Sequence, residues 1–561
     1  MDRPLKLTMA VPISTRSADR PTRRVRLSIR MRHRRERLVL LALLLVILTS
    51  AIVVTTGRSP KAAMVPPLDL PAVQPNMVQI VQPTATPEPS PSPTATTIPT
   101  AMQEVEPIES APVILPTQAQ PVTLAKDIPI PYYAQSGDSI GVLAVRFGVD
   151  ISEITSAQPL PEEGFIPEGQ LLLIPNKLEK VSSSLRIFPD SEVVNSPSAI
   201  GFDVDKYVEE AGGYLSTYSQ LVFGVGTISG AEIVKRVALE YSIHPRLLLA
   251  LLEYESGWVF GQPETLRERN YPLGFVLEGR LGLHKQLVYG AGWIATGYYG
   301  WREGTVVAVQ FQNFTQLRMS ANLNCGTAGL MYYFGQKYLF DDWAEAIYSD
   351  QGFIATYESM FGNPWLTAQA YEPLFTPDVR QPELILPFES GVTWSYTGGP
   401  HAAWGAAEVR AAIDFAPPSS EVGCTPNQAW VVASAPGLVV RSENGVVVLD
   451  LDGDGNEQTG WNLVYLHIAT NGRIRLGSWL NAGDRVGHPS CEGGISSGTH
   501  LHFARKYNGE WVPAEGPLSF VLNGWKAKAG SNVYQGWLIR GDQIVRANLY
   551  GTTSSHVSRV D

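Results

Sequence analysis

The chain has 561 residues, a formal net charge of −10 and three cysteines. That length is too great for one core, the acidic balance argues against a general nucleic-acid binder, and so few cysteines exclude a disulfide-dense scaffold. A multidomain protein of about three or four units is expected. The first stretch, residues 1–37, is rich in arginine, with Arg34, Arg35 and Arg37 at its end. From Leu38 to Thr56 there are nineteen residues without a charge, mostly Leu, Val, Ile and Ala. At 1.5 Å per residue such a helix nearly spans the ~30 Å hydrocarbon core. The basic flank should stay inside, so residues 38–56 are predicted to form a single-pass transmembrane helix, with the N-terminus cytoplasmic and everything beyond Arg58 outside. A cleaved signal peptide is the competing reading; the long basic flank and the lack of a small-residue cleavage site oppose it. Residues 57–130 are dominated by Pro, Thr, Ser, Gln and Ala, as in Gln82-Pro83-Thr84-Ala85-Thr86-Pro87. They have too little apolar surface to fold and too many prolines for helix, and are predicted to be a disordered spacer.

Order is predicted to return at residues 131–178. Tyr132 to Ile140 reads as a strand and a turn containing Gly137-Asp138, and Ile140, Leu143, Ala144 and Phe147 have helical spacing before Gly148, a natural C-cap. A closing run, Ile166-Pro167-Glu168-Gly169-Gln170-Leu171-Leu172-Leu173-Ile174-Pro175, reads as turn and strand. This β-α-α-β order with its Gly-Asp turn and its PxGQxLxIP-like end resembles a LysM domain. The resemblance implies binding to glycans containing N-acetylglucosamine, chiefly peptidoglycan. One departure is Ser156-Ala157-Gln158, where the family usually has an Asn after its second helix.

Residues 200–382 are predicted to be mainly helical. Ala231 to Tyr241 is amphipathic, with apolar residues at 233, 234, 237, 238 and 241. A second helix should start at Pro245, after His244, and end at Glu253-Tyr254-Glu255-Ser256-Gly257. A glutamate before Ser-Gly at a helix end resembles the catalytic acid of lysozyme-like lytic transglycosylases, with Gly326 to Met331 as a second, looser likeness. On that resemblance Glu255 is a candidate muramidase acid, since a buried carboxyl with a raised pKa can protonate a glycosidic oxygen. The plainer reading is a solvated acid at a helix end.

From Leu386 the pattern becomes β, with short apolar runs between turns: Trp430 to Ala433, Gly437 to Val440, Gly445 to Leu449. An antiparallel sheet is expected over 385–525, followed by a strand-like tail, 526–561. Asp450-Leu451-Asp452-Gly453-Asp454-Gly455 begins like a calcium loop, but position twelve is Trp461 where a bidentate Glu is needed, so a plain hairpin turn is expected. Asn462 to His467 is an apolar strand ending in histidine. In Thr499-His500-Leu501-His502-Phe503, alternation puts His500 and His502 on one face and Leu501 and Phe503 on the other. Two imidazoles on one strand face can share a metal, or simply form a hydrogen-bonded, half-buried pair.

Gly398-Gly399-Pro400-His401, Asp414, the Tyr465-to-His467 strand, Gly483-Asp484-Arg485-Val486-Gly487 and His500 to Phe503 together resemble the LytM/lysostaphin-type (M23) zinc metallopeptidases. The first pair departs from the usual three-residue spacing, because twelve residues separate His401 from Asp414. The resemblance implies a zinc held by His401, Asp414 and His502, with His467 and His500 as unligated catalytic groups. Tyr465 could assist from the face of His467 or serve packing, and His488 is read as a surface residue. In an exported chain Cys424 and Cys491, both in this region, are expected to pair, leaving Cys325 free. These readings converge on a membrane-anchored, envelope-facing peptidoglycan hydrolase, a zinc endopeptidase of peptide stems or cross-bridges targeted by LysM. Other cell-wall or division proteins are conceivable partners. The alternatives are an inactive M23-like adaptor that activates another wall hydrolase, or a bifunctional enzyme with muramidase activity in the middle domain.

Overall fold

The computed structural model describes residues 121–125, 128–376, 378–405, 409–419 and 423–560. The predicted basic segment, the span at 38–56 and most of the spacer therefore lie outside the described residues. Among the described residues no helix is long and apolar enough to cross a membrane.

In the small N-terminal unit, β1 (Ile130–Tyr133) pairs antiparallel with β2 (Leu171–Ile174), and α1 (Ile140–Phe147) lies between them. Gly148 ends α1 in the left-handed region at φ 66°, as its lack of a Cβ permits. Tyr132, Leu143, Phe147, Leu172 and Ile174 form the core. The expected second helix is instead a three-residue 3-10 turn, Ile151–Glu153. The reason is local. Thr155 exchanges backbone hydrogen bonds with Leu173, which draws the chain into the sheet, and Pro159 and Pro161 then forbid a helix. The unit is tied to the helical region by Arg146. Its guanidinium binds Asp138 at 2.8 Å, donates to the Trp301 carbonyl at 2.9 Å and lies over the Trp301 ring.

The helical region starts with a hairpin, β3 (Ser219–Val222) and β4 (Gly226–Ser229), and continues through α2 (Gly230–Tyr241), α3 (Pro245–Ser256), α4 (Leu283–Glu303) and α5 (Cys325–Gly335). The caps follow the residues. The Ser229 hydroxyl accepts from the Glu232 amide, Pro245 fills the first turn of α3, and Gly257 closes it in the left-handed region.

The C-terminal region is built on a nine-stranded sheet. Its strands are β5 (Thr393–His401), β6 (Ala412–Ala416), β7 (Gly437–Glu443), β8 (Val446–Asp450), β9 (Trp461–Leu466), β10 (Trp479–Leu480), β11 (Leu501–Tyr507), β12 (Glu510–Trp511) and β13 (His556–Ser558). They lie in the order β10-β7-β8-β9-β11-β6-β5-β13, with β12 on β11. All pairs are antiparallel. Period-two alternation divides the side chains between two cores. Val447, Leu449, Leu463, Tyr465, Leu501 and Phe503 fill one core, whereas Val446, Val448, Val464, Leu466 and Ala504 pack with the helices. Burial on both faces explains the unbroken apolar runs. The tail beyond 525 is no appendage, because β13 completes the sheet edge against β5.

A buried charge locks helices to sheet. Arg302 on α4 binds Glu510 of β12 at 2.6 Å, Tyr298 donates to the same carboxylate at 2.6 Å, and the Tyr299 hydroxyl accepts the Trp511 amide at 2.9 Å. Glu510→Ala would leave Arg302 buried with only the longer Asp190 contact, at 3.5 Å, to answer its charge. It should lower stability, by no more than about 3–5 kcal/mol, read as a shift of the urea unfolding midpoint. An unchanged midpoint would show that the pair does not hold the two regions together.

Candidate metal centre

Asp414 on β6 lies directly across from His502 on β11, so their side chains share a sheet face. That face is the one turned toward the helices; Leu501 and Phe503 fill the opposite core, as alternation predicted. His401 is the last residue of β5, which pairs with β6 on its other side, Ala412 opposite His401. Antiparallel neighbours therefore bring His401 beside Asp414 whatever the length of the connection. The twelve-residue spacing is absorbed by that connection and leaves the site intact. Room for the carboxylate comes from Gly398: a Cβ there would overlap Asp414 Oδ2.

The distances are short. His401 Nε2 and His502 Nδ1 are 3.0 Å apart, and Asp414 Oδ1 is 3.2 Å from each. Backbone carbonyls define the tautomers. His401 Nδ1–H donates to Gly399 O at 2.8 Å, and His502 Nε2–H donates to Ala403 O at 2.9 Å. Each imidazole thus turns a bare lone pair inward. Asp414 Oδ1 is buried and has no hydrogen-bond donor. Three acceptors converge with nothing to share, an arrangement that only a proton or a cation relieves. Zinc takes His nitrogen and Asp oxygen at about 2.0–2.1 Å in four-coordinate sites with one open position, and this donor set fits it. Burial opposes charge on all three groups. Even so, the neighbouring imidazoles hold Asp414 well below the usual carboxylate range, and Asp414 outweighs burial to hold His401 above its ordinary value. For His502 burial wins and lowers the pKa.

His467 and His500 flank this cluster without joining it. Their rings are 4.6 Å apart, and His500 Nε2 is 3.8 Å from Asp414 Oδ1. His467 Nδ1–H donates to Glu492 O and His500 Nδ1–H to Gly498 O, both at 2.8 Å, which leaves each Nε2 as a free acceptor. Burial, then His500 and His502, push His467 down to about 3, so it is neutral at physiological pH. The backbone of His467 is left-handed, at φ 67°. That twist separates it from Tyr465. Instead of sharing its face, Tyr465 sits in the opposite core and its hydroxyl accepts the Ser434 amide at 2.8 Å, a packing role.

Cys424 and Cys491 form a disulfide, and Cys325 is free and buried. Cys491 adjoins Glu492, so the bridge anchors the carbonyl that orients His467. His488, read from the sequence as a surface residue, is instead half-buried with its ring tilted against Trp430, centroids 3.7 Å apart, and takes no part in the cluster. Glu255 is elsewhere. Its carboxylate is only 6% exposed and paired with Lys337, with the Tyr338 hydroxyl 3.4 Å away. Two groups were not foreseen from the sequence. Tyr534, in the tail, stacks on His401 with centroids 4.2 Å apart and accepts the Gly399 amide on its carbonyl. Glu492 acts through its backbone, which no side-chain pattern reveals.

Residues 186–374 match the family described as "LasA, N-terminal domain". This covers most of the stretch in which the sequence suggested a lysozyme-like fold. Protease LasA of Pseudomonas aeruginosa is 27% identical over 309 residues, 49% of this chain and 66% of that protein, just under two thirds of its length. Beta-lytic metalloendopeptidase of Lysobacter enzymogenes is 26% identical over 153 residues, 27% of this chain and 82% of that protein. Among solved structures, the M23 metalloprotease pseudoalterin aligns at 24% identity and a TM-score of 0.25, covering 30% of this chain and 96% of its own.

Gly398→Ala should displace Asp414 while leaving the strand paired. Overpacking of about 1–3 kcal/mol corresponds to a loss of zinc affinity of about 5- to 150-fold, measured by competition with a chelating dye. Wild-type affinity in this variant would mean that Asp414 is not held by the close approach of β5. With its ligand set assembled by β5, β6 and β11, the C-terminal region is similar to beta-lytic metalloendopeptidase and to protease LasA, and His401, Asp414 and His502 are placed to hold a metal ion.

Proposed function

We propose that this chain is a membrane-anchored peptidoglycan hydrolase that cuts peptide stems or cross-bridges with a zinc endopeptidase domain and is targeted by a LysM-like unit. One observation carries the reading: a donor-free acceptor triad of His401, Asp414 and His502 with two unligated imidazoles beside it. The names of the relatives, a protease and a lytic metalloendopeptidase, support it. So does the LysM-like β-α-β unit. An adaptor would not require the ligand triad to be complete. The muramidase alternative draws nothing from Glu255, whose carboxylate is closed in by Lys337 and Tyr338.

Zinc supplies Lewis acidity at a scissile carbonyl and lowers the pKa of an attacking water. The chain's own residues do the rest. His401 and His502, fixed by the Gly399 and Ala403 carbonyls, and Asp414 hold the ion. His467 and His500, whose Nδ1 atoms are bound to backbone carbonyls, keep Nε2 to take the proton of the attacking water and return it to the leaving amine. Protonated, either one also stabilises the developing oxyanion.

His502→Ala and Asp414→Ala should lose zinc and peptidoglycan cleavage together. His467→Ala and His500→Ala should keep zinc, yet lose about 10²–10⁴-fold in turnover, because their part lies in proton transfer. Metal analysis beside release of new amino groups from cell walls separates the classes. Full zinc in Asp414→Ala would break the assignment, and a wild type unable to take up zinc would favour the adaptor.

Proton competition gives a second expectation. Asp414 raises His401 above the ordinary imidazole value of about 6.5, so its proton is retained to higher pH in the metal-free site. Zinc must displace that proton, and its affinity should fall as pH drops from alkaline through neutral. A flat zinc affinity between about pH 6 and 8 would contradict this.

The anchor is tested on intact cells. External protease should remove the C-terminal regions, and complete protection of Asp561 would reverse the proposed orientation.

A further inference from the structure

The turn between β8 and β9 holds more than a hairpin requires. Asp450, Asp452 and Asp454 each offer a carboxylate oxygen, and these oxygens lie within 4.8 Å of one another. Among the described residues none of the three forms an ion pair, whereas the next acid, Glu457, is matched by Arg441 at 2.9 Å and Lys506 at 3.5 Å. Acidic turns are common, and the three aspartates alone would carry nothing. The independent observation is Asn462. It is fully buried on β9, directly opposite Asp450 on β8, so the two side chains project from the same face. Its Nδ2 donates to the Thr459 carbonyl at 2.8 Å, which directs the amide into the 450–460 loop. Its Oδ1 is buried and has no partner.

We propose that this loop is a calcium site, with Asp450, Asp452, Asp454 and the Oδ1 of Asn462 as ligands. Calcium takes six to eight oxygens in flexible geometry, supplied by carboxylates, amide and backbone carbonyls and water. The Asp-x-Asp-x-Asp-Gly spacing is that of a calcium loop up to Gly455. What the linear pattern lacks at Trp461 is supplied one residue later by Asn462, from the neighbouring strand. The backbone amides of Asp452, Gly453 and Gly455 donate to the Asp450 carboxylate and fix its place at the head of the loop. The bound ion would pin the β8–β9 connection, and β9 runs from there to His467.

The test uses the full chain, zinc-loaded and freed of calcium. Terbium is a direct probe, because Trp479 packs on Gly453, where an added Cβ would lie 2.9 Å from its ring, close enough to sensitise emission. One terbium per chain should bind and be displaced by calcium, but not by equal magnesium. Asp452→Asn and Asp454→Asn should each weaken binding by about tenfold or more, with zinc content unchanged. Asn462→Asp adds a fourth carboxylate to the loop, across from Asp450. It should lower the melting temperature in calcium-free buffer and restore it when calcium is added. No calcium bound at about 10 mM, equal displacement by magnesium, binding that survives Asp452→Asn with Asp454→Asn, or an Asn462→Asp melting temperature indifferent to calcium would each overturn the proposal.

Discussion

A buried carboxylate without a donor is the constraint on which the C-terminal region turns. Asp414 Oδ1 faces two imidazole nitrogens at 3.2 Å, and while both rings are neutral neither offers it a hydrogen. Much around it enforces that arrangement. Gly398 admits the carboxylate, the register of β6 on β11 sets His502 opposite, and two carbonyls, of Gly399 and Ala403, bind the outer imidazole hydrogens. Each of these costs something in a metal-free fold: a flexible glycine in a strand, and lone pairs brought together. The costs are coherent only if a cation offsets them.

The second constraint is where that site faces. The histidines lie on the sheet face that also carries Val446, Val448, Val464 and Leu466, and those four pack against helices. The metal cluster therefore opens at the margin of a packed interface. Its cleft is lined partly by the peptidase loops and partly by Phe223, Gly224 and Val225 from the β3–β4 turn. Tyr534 enters from the other side, stacked on His401. The helical region and the tail are thus walls of the site as well as neighbours of the sheet.

What could be read from the sequence was whatever depends on near neighbours in the chain. Alternation in Thr499 to Phe503 placed two imidazoles on one face. Pro245, Gly148 and Gly257 marked helix ends because caps act within a turn. Features set by pairing across the fold were not readable. The twelve-residue spacing looked anomalous only in one dimension, since adjacency of β5 and β6 makes it irrelevant. Residues 151–153 stop short of a helix because Thr155 finds Leu173. His467 leaves the face of Tyr465 because one residue turns left-handed, and neither Tyr534 nor Asn462 has a local pattern that announces it.

Glu255 and Asp414 show how little an acid's identity says without its partner. Both were singled out as candidate catalytic or ligand carboxylates, and both are buried. Burial pushes each toward the neutral form. Glu255 meets an ammonium, Lys337, so its charge is answered within the helical region and nothing further is required of a ligand. Glu457 is answered in the same way by Arg441 and Lys506. Asp414 meets only bases. A buried acid paired with a fixed cation is a structural element, whereas a buried acid faced by lone pairs is incomplete until something positive arrives. Sorting the buried carboxylates by that criterion, and not by motif, separates the metal centre from the interior of the helical region.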